Sequence, residues 1–108
     1  MLEEINLKEM VSLYNKSINT DNNSVEDYIN LILIYWNATF DYGFESYCIT
    51  EGVFTENQIL ALPKKIDHLF EKASNLYPNN KELKFWKIYI EDLSKYFEYQ
   101  LYVYIQNT

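Results

Sequence analysis

The sequence predicts an all-α fold, an antiparallel bundle of four to five helices, and three observations carry that expectation. Apolar residues recur at steps of three and four over most of the chain. Asn6, Ser24 and Thr55, residues suited to capping, stand where three of the periodic runs begin. No glycine or proline intervenes between Lys81 and Gln106. A chain of this length makes one helical domain, residues 1–108, burying about 60–70% of its unfolded surface.

The elements follow in order. Asn6 with Glu9 three positions on forms an N-terminal cap, and Leu7, Met10, Val11, Tyr14 and Ile18 continue at helical spacing, which predicts a helix over about 7–18. The polar run "NTDNNS" (19–24) is a turn, and Ser24 caps the next helix with Glu26 and Asp27 in its first turn. From Val25 the apolar line Ile29, Ile32, Trp36, Phe40, Gly43, Tyr47 holds, so a helix of roughly 27 residues, about 40 Å long, is expected over 25–51. Gly52 supplies a left-handed stop, and Thr55 with Gln58 opens the third segment, 56–76, interrupted at Pro63, where either the helix kinks or a new one starts. After "YPNN", the line Leu83, Trp86, Ile90, Leu93, Phe97, Leu101, Tyr104 predicts a last helix over 81–105 lying antiparallel along the second.

One segment reads two ways. In "YFEYQLYVYIQ" (96–106) apolar and polar residues also alternate, as in a half-buried strand. The alternative fold is therefore α+β, with a small hairpin at 46–55 and a C-terminal strand. Helical periodicity reaching back unbroken to Leu83 favours helix, with Phe97, Leu101 and Tyr104 toward the core and Tyr99 and Tyr102 outside.

The stretch "FEKASNLYPNNKELKFW" (70–86) resembles the junction between two tetratricopeptide-type helical hairpins: Phe70, Ala73 and Pro78 stand at the spacing of that family's second helix. "WKIYI" (86–90) is similar to the Trp-x-x-Tyr spacing of the half-TPR family. Ile66 occupies the family's small-residue position, and Trp86 lies two residues late. The resemblance implies stacked helical hairpins and a partner-binding role, without a true repeat array, which needs about three units.

Charge narrows the partners. Sixteen carboxylates face nine lysines with no arginine, a net charge of −7. Nucleic-acid recognition leans on basic patches and on arginine's forked donors, so nucleic acid is not an expected partner. An acidic surface attracts basic proteins instead. The N-terminus "MLEEINLKEM" has carboxylates where a signal peptide has cations, and no apolar run spans a membrane, which predicts a cytoplasmic protein. Abundant Asn, Ile, Lys and Tyr without Arg point to an AT-rich bacterial or phage genome.

Chemistry-bearing constellations are sparse. His68 shares a helix face with Glu71, but nothing nearby completes a three-ligand metal site. Cys48, the single cysteine, lies near Glu45 and Glu51, which oppose thiolate formation, and reads as a small buried apolar residue. The glycines are isolated, so no phosphate loop exists. The pairs Asp41–Glu45 and Glu91–Asp92 show no reason for desolvation. No enzymatic activity, cofactor or metal is expected.

Tyrosine stands out at eleven residues. Tyr28, Tyr35 and Tyr42 repeat every seven residues, bordered by Asp27, Asp41 and Glu45, and Tyr99 with Tyr102 forms a second patch. Aromatic anchors ringed by carboxylates suit a basic protein partner. The resulting expectation is an immunity or antitoxin-type inhibitor that occludes a basic toxin, for example a nuclease. The alternatives are a tetratricopeptide-like adaptor, a homodimeric helical module, or a phage-encoded inhibitor.

Overall fold

The computed structural model describes residues 6–107, with the side chains of residues 96–99, 101 and 102 outside the described set. Five helices succeed one another: α1 Leu7–Ile18, α2 Val25–Phe40, α3 Tyr42–Thr50, α4 Glu56–Leu76 and α5 Lys81–Gln106. No strand occurs among the described residues. The α+β alternative is thereby discarded: residues 46–50 close α3, and 96–106 continue α5.

Local chemistry explains most boundaries. The Asn6 side chain accepts from the Glu9 amide at 2.9 Å, and that of Asn80 from the Leu83 amide at 2.9 Å. Ser24 and Asp27 form a reciprocal capping box, as do Thr55 and Gln58, so orphan amides at both helix starts are satisfied. Gly52, at φ 71°, stops α3. Its amide bonds to the Ile49 carbonyl (3.2 Å) and the Val53 amide to the Cys48 carbonyl (2.8 Å), the paired bonds of a Schellman ending that needs a residue with positive φ.

The expected helix over 25–51 is two helices, and Asp41 divides them. Its backbone is extended (φ −99°, ψ 108°); its amide bonds back to the Asn37 carbonyl, closing α2, while its carboxylate accepts from the Phe44 amide at 3.1 Å, opening α3. A carboxylate that competes for backbone amides favours a cap over a helix interior. At Pro63 the opposite holds: α4 runs through it unbroken for 21 residues. The missing amide deprives the Ile59 carbonyl of its intrahelical donor, a cost offset by the apolar face on both sides of the proline, Ile59 and Leu62 before it and Ile66 and Leu69 after, all buried.

The core is one cluster built around α2, whose Tyr28, Ile29, Leu31, Ile32, Tyr35 and Ala38 are buried on more than one side. Its most extensive neighbour is α4, which contributes Leu62, Ile66, Phe70 and Ala73. Helix α1 covers a second flank with Val11 and Ile18, and the Lys72 ammonium ties α4 to the end of α1 by donating to the Ile18 carbonyl at 3.3 Å. Helix α5 reaches the core through Leu83, Ile90 and half-buried Trp86, against α4 and α2. The expected length-matched pairing of the second and last helices fails, because α2 ends at Phe40 and α4 occupies its flank. Tyr104, expected to face the core, is 68% exposed, and Phe97 and Leu101 lie outside the described side chains.

Candidate protein-binding face

Helix α3 is nine residues long, too short to hold itself together, so its order comes from its caps and from its packing on α2. Only Cys48 of this helix is fully buried. Burial pushes the Cys48 thiol above its ordinary pKa, so it sits there as a neutral, small apolar group. Most of the rest of α3 is left to solvent. Tyr42 is 84% exposed, Tyr47 is exposed, and half-buried Phe44 stacks on Tyr47 with ring centroids 6.4 Å apart and planes 27° from parallel. Asp41 and Glu51, both exposed, flank the helix, and half-buried Glu45 lies between them.

A charge pattern reinforces this face. Between Lys16 and Lys64 the chain carries seven carboxylates, Asp21 through Glu56, and no lysine or histidine. Helix α3 sits within that stretch, so its carboxylates have no basic sequence neighbour to neutralise them. Exposed aromatic rings beside carboxylates are a surface chemistry that a cationic group can match.

The structure brings together only part of the predicted site. Asp41, Tyr42 and Glu45 share α3 and its cap. Tyr28 and Tyr35, expected beside them on a surface stripe, are core residues at 0% and 4% exposure. Tyr28 donates its hydroxyl to the Ile18 carbonyl at 3.3 Å and meets Tyr77 edge-on at 6.3 Å. Its burial, with Tyr77 and Asp27 nearby, pushes the phenol pKa up. Tyr35 accepts from the Asn15 amide at 3.2 Å and packs edge-on against Phe54 at 5.7 Å. The heptad spacing is real, but α1 and α4 enclose α2, and Tyr42 lies beyond the Asp41 break on another helix. Asp27 is likewise used internally: its carboxylate accepts from the Ser24 amide at 3.2 Å and from the Ser17 hydroxyl. The side chains of Tyr99 and Tyr102 lie outside the described residues.

Tyr47 and Glu51 are further exposed groups on α3 and at its end that were missed; Tyr47, five positions after Tyr42, stands on a different side of the helix. The signal that reveals them is the 47-residue gap between lysines, a pattern visible in the sequence but independent of helical periodicity.

A second concavity lies between α4, α5 and the end of α2. It encloses about 850 Å³, with an apolar floor of Trp36, Pro63, Ile66, Phe70 and Ile90 and a charged rim that includes Asp67, Glu71, Lys87 and Lys95. The Trp36 indole N–H in its wall is buried without a hydrogen-bond partner. His68 is exposed beside a smaller recess between α1 and α4. Among the described residues no three His, Cys, Asp or Glu side chains converge to hold a metal ion, and no helix is long and apolar enough to cross a membrane. In comparisons with known proteins, the chain matches no family model, no curated protein and no solved structure.

Proposed function

We propose that this chain is a non-enzymatic cytoplasmic protein-binding protein that uses the α3 face to occlude a basic partner, in the manner of an immunity or antitoxin protein acting on a basic toxin such as a nuclease. The observation that carries this reading is the exposed pair Tyr42 and Tyr47 among Asp41, Glu45 and Glu51, inside a stretch without lysine. Tyrosine buries a large ring at low entropic cost and keeps a hydroxyl for hydrogen bonding, while carboxylates steer a cationic surface toward it. A nuclease cleft shaped to receive phosphate is such a cationic surface.

The test is affinity capture from the native host at about 50 mM and about 500 mM salt, using the wild type and the triple variant Asp41→Lys, Tyr42→Ser, Glu45→Lys. The reading expects one basic protein retained by the wild type at low salt, depleted at high salt, and lost with the triple variant. Recovery of no basic protein, or of one held equally by the variant, contradicts it.

A second reading rests on the concavity between α4 and α5. Its volume and apolar floor fit a peptide segment, as a helical-hairpin adaptor of the tetratricopeptide type would require. In that case the exposed rim variant Lys87→Glu with Lys95→Glu abolishes capture while the α3 variant retains it.

A further inference from the structure

The outward side of α5 carries a seam that neither the core nor the α3 face uses. Lys81, Phe85, Ile88 and Asp92 stand at steps of four, three and four, which places them on one line along the helix. All four are exposed, Phe85 at 56% and Ile88 at 60%. Tyr89 is also exposed, its ring stacked on Phe85 with centroids 5.7 Å apart. The core-facing residues Leu83 and Ile90 occupy the other side. Helix α5 is therefore apolar on two opposed faces and covered on one, whereas a solvated helix carries a single apolar stripe.

The order along the seam is cation, apolar, apolar, anion. Such a line is complementary to itself when a second copy is turned end for end. With a two-fold axis passing between residues 86 and 87, Phe85 meets Ile88 of the second copy and Lys81 meets Asp92 of the second copy, and each pairing occurs twice. A parallel arrangement opposes Lys81 to Lys81 and Asp92 to Asp92, like charges that disfavour it. We propose that the chain self-associates as an antiparallel homodimer through this α5 seam. The contact is isologous, so it closes on itself instead of propagating. The seam covers about three turns, roughly 16 Å of helix, and buries less than the ~1,200 Å² of a standard interface. The dimer is accordingly concentration-dependent and dissociates in the micromolar range or above.

Sedimentation velocity of the full chain from about 5 to about 500 µM tests this. The expected result is a monomer at the low end and a dimer at the high end. Ile88→Lys, an exposed change that leaves circular dichroism unaltered, is expected to hold the chain monomeric throughout. Lys81→Asp is expected to weaken association tenfold or more by facing two carboxylates with each other, and the double exchange Lys81→Asp with Asp92→Lys to restore it within about threefold. A wild-type monomer at every concentration overturns the proposal, and so does a dimer that survives Ile88→Lys. Failure of the double exchange to restore association overturns the antiparallel register. Because α3 takes no part in the seam, none of these outcomes bears on the α3 face.

Discussion

Tyr28 and Tyr42 show how one residue type serves opposite ends. Tyr28 and Tyr42 fall on one heptad stripe, yet one is sealed in the core with its hydroxyl bonded to the Ile18 carbonyl and the other stands in solvent. Tyr28→Phe is expected to lose about 1 kcal/mol, the net worth of a buried hydrogen bond, and Tyr28→Ala about 3–5 kcal/mol through the cavity it leaves. Tyr42→Ser is expected to stay within about 0.5 kcal/mol of wild type, all three read by urea unfolding. The contrast could not be read from the residues, because a tyrosine's exposure depends on which helices cover α2, and tyrosine tolerates both settings. Titration behaviour follows from the same burial. The Cys48 thiol and the Tyr28 phenol both have folded pKa values raised above their unfolded ones, by burial first. The unfolded chain therefore releases these protons first as pH rises, and stability, full below about pH 8, falls above it. A melting temperature that declines between about pH 8 and pH 10 in the wild type, and less steeply in Cys48→Ala, is the expected record.

At the scale of elements, the starts of α1, α2 and α4 were legible because a cap is a bond between neighbours in sequence: Asn6, Ser24 and Thr55 each reach an amide three residues on. The left-handed stop at Gly52 was legible for the same reason. The division at Asp41 was not, since the apolar line from Trp36 through Phe40 and Gly43 to Tyr47 keeps its step across the break and periodicity alone sees one helix. The signal was the pair Asp41 and Gly43, a cap former followed by a poor helix former. Removing the cap tests that account. Asp41→Ala is expected to cost about 1 kcal/mol and to speed amide exchange over residues 42–50 several-fold, leaving α4 unchanged. Asp41→Asn, which keeps an acceptor for the Phe44 amide, is expected to cost less than half as much. Gly52→Ala, forced toward positive φ, is expected to cost about 1 kcal/mol or more.

Over the whole molecule, charge is sorted along the chain. Lys8 and Lys16 precede the acidic stretch, and the other seven lysines fall between residues 64 and 95, on α4 and α5. The α3 face thus lies in the most negative part of a chain of net charge −7, and α5 carries mixed signs suited to pairing with itself. The all-α class was legible in the spacing of apolar residues, and the acidic balance in the composition. Which acidic aromatic surface remains open was decided only by the packing of α1 and α4 around α2. Hydrogen exchange of the chain, alone and bound to the basic protein it captures, tests the proposed role of that surface most directly. Slowed exchange concentrated over residues 41–51 in the complex is the expected result. Protection confined to α4 and α5, or none over 41–51, would contradict that role.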